Sequence, residues 1–173
     1  MTSVSIKIDK KNYNNETCAI SDMLFSAESG EFIAIVGPSG TGKTTLLNIV
    51  AGIDQQYDGK VILNTQNSIT KPNISFMFQD SRLLPWQTVK QNIELVLDEN
   101  TPEIQSRIIQ LLKKVGLQEV GNKFPAQLSG GMKRRVSMVR AFINQPQLLL
   151  MDEPFQSLDE PTANELRVML LDL

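Results

Sequence analysis

The chain contains no histidine and only one cysteine, Cys18, among its 173 residues. Without an imidazole, neither Ser-His-Asp nor Cys-His catalysis is available, and metal sites built on histidine are excluded as well. A single thiol forms no internal disulfide and no thiolate cluster for zinc. Any chemistry must therefore come from carboxylates, lysine, backbone amides or a bound ion.

Long apolar stretches and an excess of positive charge are also missing. No stretch free of charged residues exceeds 11 residues, whereas a membrane-spanning helix needs about 20. Lys and Arg number 17 against 19 Asp and Glu, a net charge of -2, so no general basic field attracts nucleic acid. With 41% hydrophobic residues, the composition predicts one globular domain that contacts a membrane only through a partner.

The order of the apolar patterns predicts an α/β fold. Alternating apolar residues at 4–8 and an apolar segment at 20–25 predict a hairpin, with a polar turn between them. The β-branched segment at 31–36 predicts a buried central strand that ends at Gly37. The remaining patterns predict strands at 61–63, 74–78 and 148–151. They also predict helices at 44–51, 132–142 and from 161 onward, and two helices within 88–115. We interpret residues 80–144 as a mainly helical insertion in the α/β core.

Residues 37–44, GPSGTGKT, fit the pattern G-x-x-x-x-G-K-[ST] between a predicted strand and a predicted helix. Glycines let the backbone wrap closely around phosphates, and the helix N-terminus adds its positive dipole end. Lys43 would neutralise the outer phosphates, and the Thr44 hydroxyl is an oxygen ligand suited to Mg²⁺. The predicted binding residues here are Gly37, Pro38, Ser39, Gly40, Thr41, Gly42, Lys43, Thr44 and Thr45.

Two adjacent carboxylates, Asp152 and Glu153, follow the apolar segment at 148–151. Neighbouring side chains on a regular strand point in opposite directions, so the two acids cannot do the same job from one strand. Asp152 is predicted to hold Mg²⁺ through its water shell. Glu153 is predicted to polarise the water that attacks a γ-phosphate, which makes it the candidate catalytic residue.

Between these motifs, residues 128–132, LSGGM, are similar to the LSGGQ signature of ABC transporter ATP-binding subunits. The resemblance extends from Val4 to Leu173. It implies a P-loop NTPase (RecA-like) core with an N-terminal antiparallel β region and a helical subdomain at 80–144, all within one domain. It also implies ATP and Mg²⁺ as cofactors.

The same resemblance assigns roles to further residues. Ser129, Gly130 and Gly131 would contact the γ-phosphate of ATP held by a second subunit, in agreement with open amides at a helix N-terminus. Gln79 resembles the Q-loop glutamine, which touches the metal and the attacking water. The metal-binding residues implied are Thr44, Gln79 and Asp152.

Two more positions match family motifs. Tyr13 falls where the family places an aromatic side chain that stacks on adenine, although a tyrosine in a polar turn is also ordinary at a surface. Asp159, in the sequence SLD at 157–159, resembles the D-loop that contacts the partner subunit and is counted among the nucleotide-site residues.

Two departures from the general pattern point to a branch of the family. Met132 replaces the usual glutamine, and the segment RLLPWQTV at 82–89 follows the Q-loop. In both features the sequence resembles the ATP-binding subunits of importers of nitrate, sulfonates, taurine and bicarbonate. The apolar residues at 83–86 are either core filler or a groove for a partner's helix.

The implied assembly is a head-to-tail dimer of ATP-binding subunits at the inner face of the cell membrane. It would contact membrane permease subunits directly and an extracytoplasmic solute-binding protein indirectly, without nucleic acid. We expect it to energise the uptake of a small anion such as nitrate or a sulfonate.

The resemblance also indicates what the sequence does not contain. Related proteins continue after the D-loop helix into a further strand with a switch histidine, whereas this sequence stops at Leu173. We therefore expect a truncated ATP-binding domain. One alternative is a nucleotide-binding remnant without hydrolysis, and another is a soluble ABC-type ATPase that acts on nucleic acid or ribosomes. The cations of the helix at 132–142 are predicted to be a solvated face, or in this second alternative a phosphate-binding one.

Overall fold

The computed structural model describes residues 2–13, 17–65, 72–156, 158 and 160–172. The chain divides into two compact units, Met1–Ile74 and Ser75–Leu173, and each is described by itself. Among the described residues, no helix is both long enough and apolar enough to cross a bilayer.

The first unit is built on a three-stranded antiparallel sheet. Its strands are β1 (Thr2–Tyr13), β2 (Thr17–Ala27) and β3 (Asp58–Thr65), in the order β2-β1-β3, and helix α1 is Lys43–Val50. Along β1 the side chains of Val4, Ile6 and Ile8 are buried and alternate with less buried residues, as a strand with one covered face requires. The predicted N-terminal antiparallel region is confirmed.

The predicted central strand at 31–36 is not regular structure, and that prediction was wrong. These residues belong to neither sheet, and the side chains of Phe32 and Val36 are 73% and 92% exposed. An apolar segment becomes a buried strand only where neighbouring strands pair with its backbone, and none of the described strands does so. The apolar pattern at 31–36 indicates a tendency toward burial. It does not indicate whether another strand is available to pair with this segment.

The second unit combines a small sheet with helices. Strands β4 (Ile74–Met77) and β5 (Leu148–Met151) are hydrogen-bonded neighbours, and the predictions for both are confirmed. The helices are α2 (Val89–Glu94), α3 (Pro102–Lys114), α4 (Gly130–Phe142) and α5 (Glu160–Asp172), with a 3₁₀ turn at Pro125–Gln127. The boundary predicted for a helical subdomain at 80–144 stays a prediction.

Local capping explains where the helices of this unit begin. The Thr101 side chain accepts a hydrogen bond from the backbone N–H of Ile104 at 3.4 Å, and Pro102 occupies the first turn of α3. Thr88 caps α2 in a reciprocal arrangement with Gln91. Behind these caps, α2, α3 and α4 share one core whose fully buried members are Val89, Ile93, Ile108, Val115, Val136 and Val139.

The amide side chain of Asn92 organises the loop before α2. It is completely buried, accepts from the backbone N–H of Leu84 at 2.7 Å, and donates to the carbonyl oxygens of Leu84, Gln87 and Thr88 at 3.0–3.1 Å. These bonds hold the loop in a defined path. Trp86, on the same loop, is 69% exposed.

A buried ion pair stabilises the first unit. The Lys11 ammonium is 3% exposed and lies 2.7 Å from an Asp54 carboxylate oxygen, and it also donates to the carbonyl oxygen of Gln56 at 2.7 Å. The hydrogen bond from Lys11 holds the pKa of the Asp54 carboxyl below its ordinary value of 3.8, with further support from the Gln56 backbone N–H and against a smaller opposing effect of burial. The folded state therefore favours the charged carboxylate more than the unfolded state does.

We predict that Asp54→Asn lowers the free energy of unfolding at pH 7 by about 1–3 kcal/mol, because the buried ammonium loses its counter-charge. Since the folded pKa is depressed, this contribution is complete above pH 3.8 and disappears as the pH falls through the folded value. Urea unfolding followed by circular dichroism at several pH values measures the difference between wild type and variant.

Asp9→Asn is the matched control. Asp9 pairs with Lys7 at 3.5 Å, but both side chains are more than half exposed, so its loss should change the unfolding free energy by less than about 1 kcal/mol. Equal losses for the two variants at pH 7 would contradict the stabilising role of the buried pair.

Candidate functional site

Side chains in and next to the loop at 37–42 donate hydrogen bonds to the carbonyl oxygens of the loop itself. The Lys43 ammonium donates to the carbonyl oxygens of Gly37 and Pro38, each at 2.8 Å, and the Thr41 hydroxyl donates to Pro38 at 2.9 Å. The residues at 37–41 are exposed to solvent. The loop therefore presents a positive side chain and backbone amides beside the N-terminus of α1, which suits a polyanion.

Two glycines of this loop have conformations that other residues rarely adopt. Gly40 and Gly42 have φ angles of 83° and 88°. A Cβ atom at Gly42 would lie 2.5 Å from the carbonyl oxygen of Ala19 on β2, so both the backbone angle and the close approach require glycine. The loop can start α1 against β2 only with glycine at this position.

Tyr13 lies beside the first turn of α1. The sequence placed it in a polar turn, but it is the last residue of β1 and pairs with Thr17 on β2. Its hydroxyl is 3.2 Å from the Thr45 hydroxyl, its side chain is 44% exposed, and the Lys11 ammonium lies 4.8 Å from the ring centroid. The structure thus brings Tyr13 next to the helix that follows the phosphate loop.

In the second unit, the structure brings Gln79 and Glu153 together. The Gln79 amide nitrogen donates to a Glu153 carboxylate oxygen at 3.0 Å and also contacts the Gln156 side-chain oxygen. The backbone N–H of Asp152 donates to the carbonyl oxygen of Met77 at 2.9 Å, which aligns the ends of β4 and β5. Residues 74 positions apart in the sequence therefore share one hydrogen-bonded cluster.

The two neighbouring carboxylates have different surroundings. Asp152 is only 4% exposed, whereas Glu153 is half-buried. The chain leaves β5 after Met151, and Glu153 has a φ angle of 45°, in the left-handed region that non-glycine residues seldom occupy. The bend gives each acid its own environment.

The segment LSGGM ends at an exposed helix N-terminus. Ser129 caps α4, and its side chain accepts from the backbone N–H of Met132 at 3.2 Å. Ser129 and Gly130 are exposed, and a Cβ atom at Gly130 would meet no atom within 4 Å. The amides of this turn are open to a large anionic partner.

The three arginines of α4 do not form a solvated face, contrary to the expectation from sequence. Arg140 donates to the carbonyl oxygens of Ser81 and Arg82 at 2.7 and 2.9 Å. Arg135 donates to Val115 at 3.3 Å, and Arg134 is buried. A guanidinium has several N–H donors. In these three residues the donors bind backbone carbonyls of the second unit.

A magnesium site can be judged from its donors alone. Within the described part of the chain, no group of three or more acidic, cysteine or histidine side chains could hold a metal ion. The ligands predicted from sequence are the Thr44 hydroxyl in the first unit and the Gln79 amide and Asp152 carboxylate in the second, and they stay predictions. These oxygen donors fit Mg²⁺, which keeps several waters and usually relies on substrate phosphates for its remaining ligands.

Some functional candidates lie outside the described residues, and others were missed by sequence reasoning. Ser157 and Asp159 lie outside the described residues. Sequence reasoning missed Lys11, Gln156 and Arg134, because no motif marks them. Their only sequence signal is a polar or charged side chain close to a motif, which is too common to single them out.

Comparison with known proteins agrees with this geometry. The protein family described as ABC transporter matches residues 20–156. The chain is 41% identical to the aliphatic sulfonates import ATP-binding protein SsuB of Bacillus subtilis, over 99% of this chain and 69% of that protein. It is 39% identical to the sulfate/thiosulfate import ATP-binding protein CysA of Synechocystis, over 99% of this chain and 50% of that protein.

A solved structure shows the same fold. It is a dimeric ATP-binding cassette in a post-hydrolysis state with ADP and Pi, 31% identical, with a TM-score of 0.80 over 96% of this chain and 81% of that one. The motifs at 37–44, 128–132 and 152–153 lie within the segment that the family matches. The chain therefore belongs to the ABC transporter family, as an ATP-binding subunit and ATPase with the P-loop NTPase fold.

Proposed function

We propose that this chain hydrolyses ATP to energise the import of a small oxyanion, with sulfonates as the favoured class of solute. The hydrogen bond between Gln79 and Glu153 at 3.0 Å carries the hydrolytic part of the proposal, because it orients a carboxylate at a strand end for work on a water molecule. The sulfonate part is supported by the similarity to SsuB and CysA. Nitrate, which the sequence also indicated, has no support from these two relatives.

The residues of the first unit would bind the nucleotide. Lys43 and the amides of the loop at 37–42 would surround the phosphates, and Tyr13 would stack on adenine through its exposed ring face. The Lys43 ammonium already donates to two loop carbonyls. It is therefore held beside the loop, where a phosphate group would bind to it.

The residues of the second unit would perform hydrolysis. Glu153 would accept a proton from the attacking water, and Gln79 would keep the carboxylate in position. Thr44, Gln79 and Asp152 would hold Mg²⁺ together with phosphate oxygens, and the ion would neutralise charge on the transferred group. Catalysis would be mostly electrostatic, because Lys43, the loop amides and Mg²⁺ would stabilise charge on the transferred phosphoryl group while Glu153 orients the water.

The assembly we propose is a head-to-tail dimer against permease subunits at the cytoplasmic face of the membrane. Ser129, Gly130 and Gly131 would bind the γ-phosphate held by the partner subunit, and Asp159 would contact that subunit. The exposed Trp86 on the loop held by Asn92 would contact a permease helix. A solute-binding protein outside the membrane would deliver the anion to the permease.

The nucleic-acid alternative has less support. It needs free cations on α4, but Arg134, Arg135 and Arg140 all donate to carbonyl oxygens of the second unit. The net charge of -2 offers no wider basic surface.

We predict that Lys43→Ala weakens ATP binding by about 10- to 100-fold, because a charge-assisted contact to phosphate is lost. Isothermal titration calorimetry with Mg-ATP measures the dissociation constant. Lys60→Ala, which removes an exposed lysine of β3, is the control and should bind ATP like wild type. Equal affinity of the Lys43 variant and wild type would refute the phosphate-loop assignment.

We predict that Glu153→Gln keeps ATP affinity and lowers the hydrolysis rate by about 10²- to 10⁴-fold, since an amide cannot accept the proton from water. Phosphate release at saturating Mg-ATP measures turnover. Glu119→Gln, at an exposed position, is the isosteric control. If Glu153→Gln hydrolysed ATP at the wild-type rate, another residue would have to be the general base.

A further inference from the structure

Arg134 uses every N–H of its guanidinium within the second unit. The side chain is on α4 and the residue is 5% exposed. A guanidinium has five N–H donors in a fixed plane. They reach the carbonyl oxygens of Phe78 at 2.7 Å, Gln79 at 2.5 Å, Asp152 at 3.3 Å, Glu153 at 2.7 Å and Pro154 at 2.9 Å.

These carbonyls belong to two separate loops. Phe78 and Gln79 follow β4, whereas residues 152–154 follow β5. The guanidinium is thus one rigid plane to which both loops are bound. The side chains that leave these loops, Gln79 and Glu153, are themselves joined by a hydrogen bond of 3.0 Å.

The backbone at Glu153 needs such support. Its φ angle of 45° is a conformation that persists in a non-glycine residue only where the surroundings determine it. Arg134 binds the carbonyl oxygens of Asp152, Glu153 and Pro154, so it holds the chain before and after the strained angle. A shorter or non-planar side chain cannot reach all of these acceptors at once.

The positive charge of Arg134 is also balanced by the groups around it. Burial lowers the pKa of the guanidinium below its ordinary value, while the carboxylates of Asp152 and Asp80 act in the opposite direction. The cation is therefore held among carbonyl dipoles and two acids rather than by a single ion pair.

We propose that Arg134 is a positioning residue for ATP hydrolysis, which fixes the Glu153 carboxylate and the Gln79 amide in their working geometry through the five backbone carbonyls. The proposal rests on the hydrolytic function proposed for Glu153. Arg134 does not touch the nucleotide in this role. Its loss should therefore lower turnover and leave the affinity for metal-free ATP unaltered, because the residues proposed to bind the phosphates belong to the first unit.

The test compares Arg134→Lys with wild type in the full chain. Lysine keeps the charge but has three donors on a single nitrogen and no planar fork. We expect kcat to fall about 10²-fold, as for a misplacement of about 1 Å in a reacting group, while the dissociation constant for ATP measured without Mg²⁺ stays at the wild-type value. Arg134→Gln, a neutral variant of smaller volume, should show the same split with a larger loss of kcat.

Arg140→Lys is the matched control. Arg140 is on the same helix and also donates to two loop carbonyls, but those belong to Ser81 and Arg82. It should keep the wild-type kcat. All assays are run well below the melting temperature of each variant, measured by circular dichroism, so that loss of folded protein does not enter the rates.

A double-mutant cycle separates positioning from general destabilisation. If Arg134 acts through Glu153, Arg134→Lys added to Glu153→Gln should cause no further loss of single-turnover rate. An additive loss, a parallel loss of ATP affinity, or a wild-type kcat in the Arg134 variants would overturn the positioning role while hydrolysis by wild type persists. Absence of hydrolysis in wild type would instead refute the proposed function and the positioning role together.

Discussion

A single buried guanidinium determines how the ends of the two short strands β4 and β5 are arranged. Each strand has only four residues, so the ladder between them constrains little of the chain beyond. Five carbonyl oxygens leave these strand ends, and a buried carbonyl without a partner costs about 1–3 kcal/mol. Arg134 supplies a donor to each of them. The geometry of the acidic motif is therefore decided on α4, a helix that comes before β5 in the chain.

Among the described residues, each unit contains one buried cation, Lys11 or Arg134. The two cations are compensated differently. Lys11 is paired with the Asp54 carboxylate and lies against the ring of Tyr13. Arg134 is bound to backbone carbonyls. An ammonium is a compact charge that an opposite charge can neutralise, whereas a guanidinium is a planar fork that can bind several acceptors in fixed directions. Lysine thus suits an ion pair beside one aromatic ring, and arginine suits the joining of two loops.

Sequence reasoning succeeded where short-range chemistry decides the structure. Helices α1 and α4 depend mainly on residues near them in the sequence, and both were predicted. The errors share another cause, which is dependence on distant partners. The segment at 31–36 lacks a paired strand, and Lys11 is buried because the register of β1 shifts at irregularities on both sides of it, one against β3 and one against β2. Such shifts change which side chains face the core, and no residue pattern within β1 reveals them.

The bend at Glu153 shows why the acidic motif needs both local and distant contributions. On a regular strand Asp152 and Glu153 would point to opposite faces, with similar exposure at a strand end. The φ angle of 45° at Glu153 breaks that alternation, and it leaves Asp152 buried and Glu153 half-buried beside Gln79. Sequence alone predicts two carboxylates with separate roles, but the bend that separates them depends on carbonyl acceptors whose donor lies 19 residues earlier in the chain. A pair of acids becomes two different chemical groups only when a third residue determines the path of the backbone between them.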